Sequence, residues 1–392
     1  MKPFYFAKRK DREGAPQSLK TKSRPALQLV PAAIILVALA ISIPMSAQTI
    51  TTFDAPGAGT GPLQGTYALN IDPSGTTIGF IRDPNDVRHG FIRSQDGSFT
   101  IYDAPGAGTA AGQGTRAYSN NPSGAITGHF TDSVNVAHGY VRSNQGVITV
   151  FDAPGAGTGA LQGTFPALSP NLINPNGAIA GFYTDSAFVN HGFLRDENGV
   201  ITTFDAPGGG TGFLQGTRSF AISPSGEITG FVFDGTNAVH GFLRAKNGVI
   251  TTFDVPGAGT GPSEGTYPAG FTPDGSIMGV LIDADFVNRG FLLDKNGAVT
   301  IFDAPDAGTG FNQGTDPWAM NTNGEIAGYY IDGTNVTHGF VRDKHGAIVE
   351  FDVPGAANMA PWGSIASNGA VVAFYVDANN VAHGFVREAA GQ

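Results

Sequence analysis

The stretch ITTFDAPG, Ile50–Gly57, decides the fold. It recurs verbatim at Ile201–Gly208, with close copies ITVFDAPG, ITTFDVPG and VTIFDAPD. Its phenylalanine or tyrosine falls at 53, 102, 151, 204, 253, 302 and 351, a spacing of 49 broken once by 53. A period this long belongs to propeller blades or solenoid coils. One period holds four short apolar-rich segments: TYALNI, TTIGFIR, VRHGFIR and SFTIYD. Aromatic and β-branched residues dominate them, and DPSG, DPND and SQDG separate them, which is strand-and-turn chemistry. No window carries a sustained helical period with a cap. Tight Asn-Gly turns such as Asn198-Gly199 and Asn247-Gly248 favour antiparallel hairpins over parallel coils. The predicted fold is therefore all-β, a seven-bladed β-propeller of four-stranded antiparallel blades. The string ends every repeat but also precedes the first, and the last repeat stops at HGFVREAAGQ without one. The N-terminal strand is thus expected to complete the last blade and close the ring, leaving no open sheet edge.

Residues 1–47 are a different kind of sequence. Eight basic residues precede the uncharged apolar run Leu29–Ile43, and PMSAQ follows. This is the order of a secretory signal, and 15 apolar residues are short for a membrane span of roughly 20. The reading is a signal peptide, with an uncleaved signal anchor as the rival, and a single propeller domain over 48–392. Localisation is then secreted, periplasmic or in the cell envelope, with membrane attachment only through an uncleaved anchor. The body beyond residue 47 keeps 14 Lys+Arg against 30 Asp+Glu, a net charge of −16, which repels nucleic acid. With no cysteine, there is no disulfide, thiolate nucleophile or iron–sulfur site. No cofactor or metal is expected, and the chain reads as a monomer.

These copies also carry a family resemblance. FDAPGAGTG, NIDPSGTTIGFIRD and HGFIR, with TTFDAPGGGTG, SPSGEITGF and VHGFLR, resemble the extracellular HAF repeats of bacteria over residues 50–387. The resemblance implies an exported repeat protein and carries no catalytic residues to transfer. Several copies read HGF where the family's name implies HAF.

Positions that recur once per blade answer to the fold. Glycine follows the first turn at 75, 124, 177, 226, 275, 324 and 369, which suits a positive φ. Aspartate ends the second strand, histidine follows six residues later, and arginine four after that. The sets are Asp83, His89, Arg93; Asp132, His138, Arg142; Asp185, His191, Arg195; Asp234, His240, Arg244; Asp332, His338, Arg342; and Asp377, His383, Arg387. The fifth blade has Asp283 with Arg289 and Leu293, so the cationic role is expected to have slid along one strand face. A structural polar network with the FDAPG aspartates as acceptors is the reading, because a catalytic or zinc site occurs once and not seven times. Calcium in the DGTN loops at Asp234 and Asp332 is the weaker alternative.

Function is expected where repetition fails. The second-to-third loops and the blade-to-blade crossings are long and share one face, the natural binding face. The residue after each GT at the start of the inner strand is Tyr67, Arg116, Phe165, Arg218, Tyr267 or Asp316. Together with Trp318 and Trp362 these are the candidate ligand-binding residues, expected as a ring at the channel mouth for a glycan, peptide or carboxylated ligand. Three further irregularities are placed near the same mouth: NLIN at Asn171–Asn174, the shortened crossing GAANMAPWG that carries Trp362, and Glu264 in place of a recurring glutamine. With no second acid visible beside Asp316, an exported binding or envelope-interaction module is favoured, and a propeller hydrolase or lyase is the alternative.

Overall fold

The computed structural model describes residues 49–166 and 169–389, with the side chains of residues 360–362 excepted. The basic and apolar N-terminal segment and the side chain of Trp362 lie outside the described residues. Twenty-eight strands and no helix are found among the described residues. Strand β1 (Ile50–Phe53) is followed by β2 (Gly65–Ile71), β3 (Thr77–Arg82), β4 (Arg88–Arg93) and β5 (Phe99–Tyr102). The strands β2 to β5 pair antiparallel in sequence order. The same four-stranded meander then repeats along the chain to β26 (Asn358–Ile365), β27 (Val371–Val376) and β28 (Ala382–Arg387). β28 takes β1 as its outer neighbour, with Ile50 opposite Arg387 and Phe53 opposite Gly384.

Consecutive sheets are joined where the backbone comes very close. Gly65 forms a parallel bridge with Ala382, and a Cβ there would lie 2.0 Å from the Ala382 carbonyl oxygen. Only glycine fits that approach, and its φ of +117° is one that L side chains resist. The threonine after it is equally fixed, since the Thr66 hydroxyl accepts the Ala55 amide at 2.9 Å. Five further sheets repeat that bond. The GT pair is therefore a hinge that ties each crossing to its inner strand.

The HGF motif builds the core between sheets. Its aromatic residue, from Phe91 and Tyr140 to Phe385, is fully buried in every sheet. The glycine before it makes room for the outer-strand aromatic of its own sheet, as at Gly90 beneath Tyr102. That outer ring then meets the next sheet edge-on: Phe53 with Phe91 at 6.4 Å, Phe151 with Phe193 at 6.0 Å, Phe351 with Phe385 at 6.2 Å. Burying each such ring contributes about 1.5–3 kcal/mol, and the repeat supplies one per sheet. Apolar clusters accordingly span neighbours, including β2 and β3 with β27 and β28.

Both chain ends of the described body lie at the tight-turn face, where the Glu388 amide donates to the Thr49 carbonyl at 2.9 Å. On the opposite face the crossings and second-to-third loops hold each other, as in Leu63 N–H to Asn380 O at 2.6 Å and Leu161 N–H to Asn135 O at 2.8 Å. Leu63, Leu161 and Leu214 carry φ near +60° there, and all three side chains are exposed.

Candidate functional site

The recurring polar set resolves into two separate devices. Each histidine sits between two carboxylates. His191 Nδ1 lies 2.8 Å from Asp205, an FDAPG aspartate, and its Nε2 lies 3.5 Å from Asp185. His89, His138, His240, His338 and His383 repeat the arrangement with Asp103, Asp152, Asp254, Asp352 and Asp54. The second-strand aspartate is chiefly a turn cap. Asp377 accepts the Asn379 and Val381 amides at 2.8 Å, and those backbone bonds hold its carboxyl below the ordinary range. Asp234 and Asp332 spend their carboxylates on turn amides and threonine hydroxyls in the same way. No cluster of acids and histidines able to hold a metal ion is found among the described residues.

The arginines do something else, and one expectation is corrected. Arg93, Arg142, Arg195, Arg244, Arg342 and Arg387 lie over the outer-strand ring of the preceding sheet, 4.8–5.2 Å from its centroid. In the fifth sheet Arg289 reaches Asp303 at 2.7 Å and Asp283 at 3.6 Å. It replaces only the histidine. Leu293 leaves Phe253 without the cation the other sheets supply, so that role is lost and has not slid along the strand.

The blade-variable residues are also placed differently from the expected open ring. Tyr67, Arg116, Phe165, Arg218 and Tyr267 are half-buried between sheets, and Asp316 is buried. Tyr67, Arg116, Phe165 and Asp316 pack against the residue opposite them on the second strand of their own sheet. Tyr67 stacks on Phe80 at 4.7 Å and Phe165 on Phe182 at 5.2 Å. Arg116 meets His129 at 2.7 Å, and Tyr329 donates its hydroxyl to Asp316 at 2.9 Å. The neighbouring sheet closes the other side, with Phe374 4.8 Å from Tyr67 and Phe231 5.1 Å from Tyr267. Burial drives the Asp316 carboxyl up to about 7, against a smaller opposing effect of the Tyr329 hydrogen bond.

These residues line three adjoining hollows. A chamber of about 300 Å³ is walled by Tyr67, Leu69, Phe80, Tyr118, Phe220, Trp318 and Phe374. Its floor is Ser169 and Pro170. On one side Phe220 and Trp318 are shared with a hollow that holds Tyr267 and Asp316. On the other, Tyr118 is shared with a hollow that holds Arg116, His129, Phe165 and Arg218.

The floor residues lead directly into the inserted NLIN segment, Asn171–Asn174, and the position of that segment is a second correction. It does not border the mouth; with Pro170 it runs between inner strands and bonds to three of them. The Pro170 carbonyl accepts from Asn70 Nδ2 at 2.9 Å and Ser119 Oγ at 2.6 Å, on two other sheets. The Asn171 carbonyl accepts the Ile222 amide at 2.9 Å on a third. Leu172 is wholly buried. Beneath this plug lies a separate hollow at the tight-turn end, lined among others by Asp72, Asn121, Asn174, Ser223, Thr272, Asn321 and Ser367. Glu264 is structural: its carboxylate accepts the Gly261 amide at 2.7 Å, as Gln64 does from Gly61.

Two residues escaped the sequence reading. His129 and Tyr329 stand where other sheets have Phe80, Phe182, Phe231, Val280 and Phe374. That second column varies in chemistry too, and aligning it against the first would have exposed both.

No protein-family model matches the chain, and no curated protein sequence does. Among solved structures, the chain is similar to a catalytically inactive histidine-to-alanine variant of virginiamycin B lyase from Staphylococcus aureus with quinupristin. The TM-score is 0.55 at 14% identity, over 86% of this chain and 99% of that one. A streptogramin B lyase structure gives a TM-score of 0.52 at 13% identity, over 88% of this chain and 99% of that one. At such identity the likeness concerns architecture: the fold is a β-propeller.

Proposed function

We propose that the chain is a seven-bladed propeller closed non-covalently by β1, exported by its N-terminal segment, and that its working site is the plugged chamber at the long-loop end. The observation that carries this is the chamber itself: aromatic walls from five blades above Ser169 and Pro170, the residues that lead into the four-residue insertion. Such a space suits a compact, ring-bearing small molecule better than an extended glycan or polypeptide chain. The likeness to HAF repeats fits an exported protein of this build.

Within that site the enzymatic reading, a lyase or hydrolase, is favoured over a binding module without chemistry. Asp316 is unique to its blade, buried beside the chamber, and holds a carboxyl near 7. A group that carries its proton about half the time at neutral pH is suited to general acid or base work. The two propellers of similar fold are lyases, which adds support to that class. The binding reading rests on the lack of a second acid in the same hollow among the described residues. The deciding experiment incubates the full chain with a pool of aromatic lactones, esters and glycosides, and follows masses. Consumption by the wild type and none by Asp316→Asn supports catalysis. Turnover that survives the substitution removes Asp316 from the chemistry, and ligand capture without turnover restores the binding module.

A further inference from the structure

The hollow beside the chamber, about 360 Å³ in volume, collects hydrogen-bond donors and no acid. Arg218 is the key. Its guanidinium lies between the Phe182 and Phe233 rings, 5.3 and 5.2 Å from their centroids. Its Nε is buried without a hydrogen-bond partner, and no carboxylate reaches it among the described residues. A cation removed from water by aromatic rings and left without a counter-ion is costly. A buried Nε without a partner is shared by Arg82, Arg195, Arg244 and Arg342, although Arg82 still reaches Asp86 at 3.3 Å and Arg195 and Arg342 reach backbone carbonyls. What sets Arg218 apart is that it lines one hollow with Arg116 and His129.

His129 supplies an independent observation. It is 4% exposed. Arg116 always donates, so His129 Nε2, 2.7 Å from its Nη1, must accept. The proton therefore sits on Nδ1, and Nδ1 is buried with no partner. Burial, then Arg116 and Arg88, hold the imidazole neutral far below its ordinary titration range. The arginine thus fixes a tautomer whose remaining N–H faces no acceptor. None of the other residues that line this hollow is acidic.

We infer that Arg218, Arg116 and the Nδ1–H of His129 form an anion subsite, and that the ring-bearing molecule of the neighbouring chamber carries a carboxylate seated there. The inference rests on the chamber reading for the ring and on these donors alone for the charge. Bidentate pairing with guanidinium suits a carboxylate, and a phosphate ester would share that chemistry. In a body of net charge −16 the subsite is a local exception that selects such ligands from solution.

The test uses the purified full chain and a matched pair of probes, phenylacetate and its neutral isostere phenylacetamide, by calorimetric titration at fixed ionic strength. Phenylacetate is expected to bind at least about tenfold more tightly. Arg218→Gln should bring the pair near parity without changing the phenylacetamide affinity. His129→Phe, which installs the residue four other sheets carry at this register, should lower the preference by several-fold in a protein that folds. Inorganic phosphate, followed through the 15N resonances of the His129 ring, reads the subsite without the chamber and should shift Nδ1. Parity in the wild type, or a preference untouched by both substitutions, overturns the anion subsite while phenylacetamide binding keeps the chamber. Phosphate response with no binding of phenylacetamide overturns the chamber and keeps the subsite. No response to any of the three probes overturns both.

Discussion

Replacing Asp316 by asparagine should make the protein more stable in neutral and alkaline solution and leave it nearly unchanged in acid. The carboxyl is buried, its Oδ2 accepts the Tyr329 hydroxyl at 2.9 Å, and burial raises it from 3.8 to about 7. A carboxyl raised on folding is ionised more readily in the unfolded chain. Below about pH 4 both states hold the proton and the group costs nothing. Between about pH 4 and pH 7 the unfolded chain ionises first, and stability falls as pH rises. Above about pH 7 both states are ionised and the penalty is constant. About three units at ~1.4 kcal/mol each give a full penalty of about 4 kcal/mol. Asparagine keeps the acceptor for Tyr329 and cannot ionise, so it escapes the penalty. Urea unfolding of both proteins at pH 4, 6 and 8 measures this directly. The stability difference should be near zero at pH 4 and should favour the variant by about 2–4 kcal/mol at pH 8. A difference that stays flat across that range would show that Asp316 is ordinary and solvated, and would remove its fitness for acid–base work.

Installing the missing cation by Leu293→Arg should place a guanidinium over Phe253 and raise stability by about 0.5–1 kcal/mol, read by urea unfolding; a destabilised protein would contradict the role assigned to the other six arginines. Deleting residues 49–54 removes the strand paired with β28 and the Phe53 ring packed at 6.4 Å on Phe91, and should cost at least ~3 kcal/mol. A truncated chain that melts with the intact one would refute closure by β1. His191→Ala leaves Asp185 and Asp205 facing each other's charge and should cost about 1–2 kcal/mol near neutral pH; unchanged unfolding would make the histidine column dispensable. Asp377 is held below its ordinary value by backbone amides, so its contribution is full above about pH 4 and fades as acid reaches the lower folded value. Asp377→Ala should therefore lower the urea midpoint at pH 7 and merge with the wild type in strong acid, whereas an offset that persists there would place its effect outside the carboxylate.

Much of this architecture was legible because the chain contains its own comparisons. The period of the FDAPG string, its unpaired first copy and the glycines at positive φ all follow from local rules that each repeat restates. The HGF cadence was legible as a pattern but not as packing. That Gly90 exists to admit the Tyr102 ring is a fact of two strands lying side by side, which spacing alone does not reveal. The arginine column was misread for the same reason. One strand face suggested a single ionic network, while the rings that the arginines cover belong to the preceding sheet. The site was half legible. Blade-unique residues were found in one column, but their second-strand partners His129 and Tyr329 were not, because pairing register brings them together. The NLIN insertion was visible as four extra residues. Its place beneath the chamber depends on the Pro170 and Asn171 carbonyls meeting Asn70, Ser119 and Ile222 on other sheets, contacts with no local signature.

The central claim, that a compact ring-bearing molecule sits above the 169–174 plug at the long-loop end, is tested most directly by a crystal structure of the full chain soaked with phenylacetate. The ring is predicted to lie between Tyr67, Phe220 and Trp318 with Pro170 beneath it and the carboxylate turned toward Arg218. A probe found instead in the tight-turn hollow beside Asn121 and Asn321, or an aromatic chamber filled by its own side chains, would contradict the account.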